Sequence, residues 1–301
     1  MRKFIVSDLH GNGNIYDSIM AYLDNINNLT KDEIILYING DLIDRGWASA
    51  DMLLDIKDRI ENKHGFKIEY LAGNHELMMY QALKDVNDDK WPTNTLWFAN
   101  YGDVTAYGLE PKYHSLQELK KINKFIGNLK LYHKFKETID GKRIVLVHSK
   151  CPSVVLDRCF LKVKDDNFEV NQLVWTRKDS KKDKIGDDNY FTIIGHTIVR
   201  NKTGYSYSLD DNVLNIDGGC GAYVLGNEQY DHTPLVEIDG KNNRLIILIF
   251  NNNNEIIKGN YFSNKTSTAM EDEELENYRK YLNPKVKTKK MKIEDGIVFF
   301  E

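Results

Sequence analysis

The chain has 301 residues, of which 41% are hydrophobic and 29% charged, the balance of a protein with an ample core and a watered surface. Its net charge of −4 excludes a global field that would recruit nucleic acid or an anionic membrane, and no apolar run is long enough to span a bilayer. Cys151, Cys159 and Cys220 form an odd set without C-x-x-C spacing, which argues against a disulfide framework or a zinc knuckle. The opening Met1–Asp8 turns polar too early for a signal peptide, so the chain reads as a cytoplasmic protein with reduced thiols.

In chain order, Lys3 to Val6 is a short strand that ends at Asp8-Leu9-His10-Gly11, and Ile15, Ile19, Leu23 and Ile26 mark a helix with a period near 3.6. A second strand, Ile34–Ile38, runs into Gly40-Asp41-Leu42-Ile43-Asp44-Arg45-Gly46. A helix follows from about Ala48, with Leu53, Ile56 and Ile60 on one side. Lys67–Leu71 is a third strand, ending at Gly73-Asn74-His75-Glu76 before a helix over Leu77–Leu83. Strand, polar loop and helix thus occur three times, the pattern of an α/β sheet covered by helices. Ligands collect at the carboxyl ends of such strands, and all three polar loops lie there.

Residues 85–127 read as a mostly helical insertion beside the site. It has a loop at Asp88–Pro92, a short helix over Thr95–Tyr101 carrying Trp97 and Phe98, and a capping box at Ser115–Glu118; Trp97 and Trp175 read as packing residues under the site. Strands resume after Leu131. Ile144–Val147 ends at His148, Phe191–Ile194 at Gly195-His196, and Asn212–Ile216 at Asp217. Pro234–Ile238, Arg244–Phe250 and Glu255–Phe262 form a meander that closes a catalytic domain, residues 1–263. The remaining 264–301 is a C-terminal extension. Its acidic helix precedes a lysine run that reads as a solvated tail, not a nucleic-acid site, and Ile297–Phe300 is apolar enough to dock on the body.

The polar residues at strand ends are Asp8, His10, Asp41, Asp44, Asn74, His75, His148, His196 and Asp217. Mixed imidazole and carboxylate donors suit Mn, Fe or Zn, whereas Mg or Ca would draw almost wholly on oxygen. Two metals a few ångströms apart need a bridging carboxylate, and Asp41 stands between the two ligand groups in chain order. Such a pair suits in-line displacement at phosphorus. Taken singly, each of these residues also has an ordinary structural use: a strand-end histidine as a hydrogen-bonding group, Asp217 as a turn former, Glu76 as support for its helix.

Asp8-x-His10-Gly11, Gly40-Asp41-x-x-Asp44-Arg45-Gly46 and Gly73-Asn74-His75-Glu76 together resemble the three signatures of the calcineurin-like metallophosphoesterases. The Asp-Arg-Gly and Asn-His-Glu forms resemble the phosphoprotein phosphatase branch, with bacterial and phage lambda-type serine/threonine phosphatases and symmetrical diadenosine tetraphosphatases among its members. Further matches at Trp97-x-x-Asn100-Tyr101-Gly102, Trp175-Thr176-Arg177, Gly195-His196-Thr197 and Asp217-Gly218-Gly219-Cys220 carry the resemblance through about residue 225. It implies a β-sandwich of two mixed sheets flanked by helices. It further implies two divalent metal ions, manganese first, the first held by Asp8, His10 and Asp41, the second by Asp41, Asn74, His148 and His196. A metal-bridging hydroxide would be the nucleophile, His75 the general acid aimed by Asp44, and Arg45 and Arg177 the phosphate clamps.

The expected activity is hydrolysis of phosphoserine or phosphothreonine in proteins, with small phosphoesters also accepted. Cleavage of dinucleoside polyphosphates is the alternative within the same chemistry. A binding module that keeps the fold without catalysis is the alternative of another class, against which the full set of ligands, both arginines and His75 all stand. Ser149-Lys150-Cys151 after His148, and Tyr101-Gly102-Asp103, depart from the common pattern of relatives and alter the rim that faces substrate.

Overall fold

The computed structural model describes residues 1–84, 95–110, 115–151, 161–177, 184–199, 206–263, 266–294 and 297–300. Cys159 and the loop expected at Asp88–Pro92 lie outside the described residues. The first three strands, β1 (Arg2–Val6), β2 (Ile34–Asn39) and β3 (Lys67–Leu71), pair in parallel as β1-β2-β3, and helices α1 (Gly13–Thr30), α2 (Ser49–Asn62) and α3 (Asn74–Lys84) follow them in turn. Asn12 starts α1 by accepting the Ile15 N–H on its side chain.

Next come α4 (Gly102–Leu109) and α5 (Leu116–Gly127), the latter opened by the Ser115 cap. The short helix expected over Thr95–Tyr101 is a single 3-10 turn, Phe98–Asn100. Tyr101 there takes a left-handed backbone, φ 65°, which ends the turn before α4 begins.

A hairpin of β4 (Tyr132–Ile139) and β5 (Lys142–Val147) turns at Asp140-Gly141, both with positive φ as a primed turn requires. Helix α6 (Phe168–Trp175) leads to β6 (Tyr190–Ile194), β7 (Ser208–Asp210) and β8 (Val213–Asn215), and the five strands order as β4-β5-β6-β8-β7. Strands β5, β6 and β8 are parallel, so this sheet repeats the parallel core of the first.

After α7 (Cys220–Tyr223), the strands β9 (His232–Asp239), β10 (Arg244–Asn251) and β11 (Ile256–Ser263) form the expected antiparallel meander, and β9 pairs antiparallel with β1. The first sheet does not stop at residue 263. Strand β12 (Thr266–Ala269) pairs with β11 and completes seven strands in the order β12-β11-β10-β9-β1-β2-β3. Helix α8 (Asp272–Arg279) then tucks Leu275 and the preceding Met270 into the core, and β13 (Met291–Glu294) and β14 (Ile297–Phe300) close the chain as a separate hairpin.

Alternation along the strands divides the core in two. Phe4 and Val6 of β1, and Ile34, Leu36 and Ile38 of β2, face the helices, whereas Ile5, Ile35 and Tyr37 face a cluster shared with Ile144 and Leu146 of β5 and Phe191 and Ile193 of β6. The second cluster is the interior of a sandwich made by the two mixed sheets, and the architecture is the α/β type expected. No helix among the described residues is long and apolar enough to cross a membrane.

Candidate active site

The parallel strand ends of the two sheets meet along a seam stitched by Asn39. Its side-chain amide donates to Val147 O at 3.1 Å, and its carbonyl oxygen receives the Ser7 hydroxyl at 3.1 Å and faces Nδ1 of His148 at 2.8 Å. The loops after β1, β2, β3, β5, β6 and β8 therefore empty into one place. Six of the residues there, Asp8, His10, Asp41, Asp44, Arg45 and His196, have positive φ. Such a backbone is unfavourable for side chains of this kind and persists only where surrounding bonds over-determine it.

Glu76 supplies several of those bonds. Fully buried, its carboxylate accepts the backbone N–H of Asp41 (2.8 Å), Leu42 (3.0 Å) and Gly73 (2.7 Å), and the Tyr70 hydroxyl (2.7 Å). One carboxylate thus fixes the Asp41 loop to the His75 loop. Gly73 must be glycine, because a Cβ there would run into the Asp41 carboxylate. Glu76 supports its helix, as the sequence suggests, and also reaches across to the neighbouring loop.

Asp41 lies on the floor of the cleft with Oδ2 at 3.4 Å from Nε2 of His148, 3.5 Å from Nε2 of His10 and 4.0 Å from Nε2 of His75. Two groups of donor atoms are close enough to share a cation, His10–Asp41–His75 and Asp41–His148–His196, and Asp41 is in both. Asn74 Oδ1 faces Nε2 of His148 at 3.2 Å and Nδ1 of His196 at 2.8 Å. The Asp8 carboxylate receives the His196 N–H (3.0 Å) and the Ser7 hydroxyl (2.5 Å). Neither donor group includes Asp8, which the resemblance makes a ligand alongside His10, and His75 falls in the group of His10 and Asp41.

The electrostatics show a surplus of buried acid. Burial works against charge on Asp41, but the rings of His148, His75 and His10 hold it well below the usual carboxylate range. Burial and the facing charge of Asp217 push Asp8 well up, and burial raises Asp217 to about 6. His148 is buried too, yet Asp41 and Asp8 overcome that cost and raise it to about 10. Burial lowers His10, with Arg45 and His75 adding to it, and lowers His196 to about 3 together with His148. Buried carboxylate beside His10 and His196, the two imidazoles that burial keeps neutral, is a donor mixture suited to a transition metal. As a ligand His148 has to give up its proton, so cation binding at this floor is linked to proton release.

His75 sits between floor and rim. Its Nδ1 is 2.7 Å from Asp44 Oδ2, leaving Nε2 facing Arg45 Nη2 at 3.2 Å. Burial disfavours a charged ring, but Asp41 and Asp44 outweigh it and raise His75 above its ordinary value. Burial also pushes Asp44 up, while donors from Trp97 Nε1 (3.0 Å), Thr105 Oγ1 (2.5 Å) and His75 favour its carboxylate form. Trp97 was expected to be a packing residue, and it is fully buried, but it also donates to Asp44. Thr105, which gave no signal in the sequence, both donates to that carboxylate and accepts the Asp44 N–H at 3.0 Å.

Arg45 and Arg177 border a cleft of about 350 Å³ that is also lined by His10, Asp41, Asn74, His196 and Asp217. Arg177 Nε donates to Nε2 of His196 at 3.2 Å. Asp217 does two things at once: it lines the cleft, and its Oδ1 accepts the Gly219 N–H at 3.0 Å to form the turn before α7. Thr197 and Ile198 are shared with a second cavity of about 640 Å³, which includes Ser149, one of the positions that depart from the common pattern. Cys220 is buried against Thr233 at 2.8 Å, its thiol pushed up to about 12 by burial.

Residues 1–216 match the profile of the calcineurin-like phosphoesterases, and the chain belongs to that family. Among curated relatives, it is 29% identical over 90 residues to symmetrical bis(5'-nucleosyl)-tetraphosphatases of Salmonella paratyphi B and Salmonella typhimurium. That stretch spans 30% of this chain and 29% of theirs, so the chain matches less than a third of those relatives' length. Among solved structures, a point mutant of a cold-active protein tyrosine phosphatase aligns over 90% of this chain and 80% of its own, with 15% identity and a TM-score of 0.50, a likeness of fold.

Proposed function

We propose that the chain hydrolyses phosphomonoesters, with phosphoserine and phosphothreonine in proteins as its substrates and two divalent ions, manganese first, as its cofactors. The observation that carries this reading is His75, held at Nδ1 by Asp44 with Nε2 turned to Arg45 above the Asp41 floor. Asp41 would be shared between the ions. Asp8 and His10 would complete the first site, and Asn74, His148 and His196 the second. When bound, the ions would supply an activated water and would neutralise charge on the phosphoryl oxygens.

The rest belongs to the chain's own side chains. Arg45 and Arg177 line the cleft from two different loops and would grip the phosphoryl oxygens, to which planar forks are suited. With Arg45 turned from His75 Nε2 to the phosphoryl oxygens, His75, its proton favoured by Asp41 and Asp44, would deliver that proton from Nε2 to the departing alkoxide. Asp44 keeps the ring's orientation throughout, and Trp97 and Thr105 keep Asp44 in place. Charge on the nucleophile, the equatorial oxygens and the leaving group is thereby met from three directions.

Dinucleoside polyphosphates are the second reading. The stretch shared with the Salmonella tetraphosphatases favours it, and the adjoining cavity at Thr197–Ile198 offers room for a larger leaving group. A cytoplasmic setting is part of the same reading and rests on three cysteines without paired spacing. A competitive panel with Mn²⁺, comparing phosphopeptides, diadenosine tetraphosphate and linear and cyclic nucleotides by kcat/KM, separates the readings. A phosphopeptide in first place supports the protein phosphatase reading, and diadenosine tetraphosphate in first place replaces it with the second.

A further inference from the structure

The segment from Tyr281 to Lys289 is held to the body by side-chain amides, without strand pairing. Asn25 donates to Tyr281 O at 3.1 Å and Asn254 to Asn283 O at 2.8 Å. Asn14, itself buried, grips Lys289 both ways: Nδ2 donates to Lys289 O and Oδ1 accepts the Lys289 N–H, each at 2.7 Å. Asn14 and Asn25 are separated by about three turns and so share one face of α1. The lysine run expected to be a solvated tail is therefore anchored at Lys289 by a paired donor and acceptor.

That anchor has a target. The Lys289 ammonium lies 3.9 Å from the centroid of the Trp47 ring, and Phe300 of β14 approaches the same indole at 6.1 Å. Trp47 in turn covers Gly13, where any side chain would strike the indole. The hairpin continues to Gly226, where a Cβ would come within 3.0 Å of Val298 and 3.3 Å of Ile293.

These contacts fall on the three loops around one guanidinium. Asn14 closes the loop that carries His10, Trp47 is two residues beyond Arg45, and Gly226 follows α7, whose Gly221 leaves no room for a side chain beneath Arg45 and His10. Arg45 itself has φ 70° and a long backbone bond to Tyr101 O at 3.3 Å, a conformation that needs to be held. We propose that the C-terminal strap, through Lys289 and Phe300 on Trp47, is a positioning element that fixes Arg45 for its grip on the substrate phosphate. The proposal rests on the reading of Arg45 as a phosphate clamp.

The test uses the full-length, Mn²⁺-loaded protein with p-nitrophenyl phosphate as substrate and inorganic phosphate as competitive inhibitor. Lys289→Ala should raise both KM and the phosphate inhibition constant about two- to fivefold, the worth of one cation–π contact, with kcat changed less than either. Phe300→Ala should add to it, Lys289→Arg should restore it, and Trp47 fluorescence should shift in step. Lys289 is exposed, so its truncation leaves the core intact, and a melting curve checks that. In an Arg45→Ala background the strap substitutions should change KM no further. Unchanged KM in Lys289→Ala and Phe300→Ala, or an equal penalty in the Arg45→Ala background, overturns the proposal. If Arg45→Ala itself leaves KM unchanged, it is the phosphate-clamp reading that fails.

Discussion

On the floor of the cleft, Asp41, His75 and His148 are no more than 2% exposed, and each is held by a backbone or carboxylate partner. On the rim, Arg45 is half-buried and Arg177 exposed, and Arg177 reaches the cleft from the residue before a segment outside the described residues. The floor is over-determined: Glu76 alone ties two loops together, and Asn39 ties two sheets. Among the described residues the rim is held by longer bonds, such as the 3.3 Å contact of the Arg45 N–H. A floor of this kind suits chemistry common to a family, and a rim of this kind suits a choice among substrates. The difference predicts that damage to the floor costs turnover and damage to the rim costs recognition.

The largest effect should come from Asp41→Asn. It removes the one carboxylate common to both donor groups, so activity should drop to assay background and bound manganese, measured by elemental analysis, should fall with it. Retained manganese would show that Asp41 is not the shared ligand. Next, His75→Asn should keep its metal but lose about 10²–10⁴-fold in kcat, the usual contribution of a positioned general acid. An unchanged rate would remove His75 from that role. Trp97→Phe takes away one donor to Asp44 and should cost about 10- to 100-fold in kcat with little change in KM, as outer partners of a working group commonly do. A KM effect alone would move Trp97 from floor to rim. Arg177→Ala should do the reverse, raising KM for a phosphomonoester about tenfold through loss of one charge-assisted contact while kcat stays closer to wild type.

The smallest effect lies away from both regions. His133 packs on Tyr37 and Phe135 at 4.7 and 4.6 Å, and burial lowers it to about 4. A folded value below the ordinary 6.5 means the contribution is whole above about pH 6.5 and is lost as pH falls toward 4. Melting temperature should therefore decline across that window, and His133→Phe should flatten the decline. An unaltered decline would assign acid sensitivity to the floor instead.

Much of the floor was legible because each of its residues ends a short apolar strand, a pattern that both period-two alternation and the helices between make plain. Asp8, His10, Asp41, Asn74, His75, His148 and His196 converge for that reason. What held them was less legible. Trp97 follows a polar loop and reads as packing, and Thr105 lies within a helix without any motif, yet both donate to Asp44. Thr266–Ala269 has no apolar alternation because it is an edge strand with every side chain exposed, so the sheet looked finished at residue 263. The Asn14 grip on Lys289 joins positions 275 apart, and nothing local could signal it.

On the proposed reading, Asp41 serves two cations at once. Chelator-treated protein titrated with Mn²⁺, with bound metal and p-nitrophenyl phosphate hydrolysis followed together, tests it most directly. Turnover should be absent before manganese is added, activity should saturate as the second ion per chain binds, and a proton should be released on binding. Full activity in excess chelator, or saturation at a single ion, would contradict it.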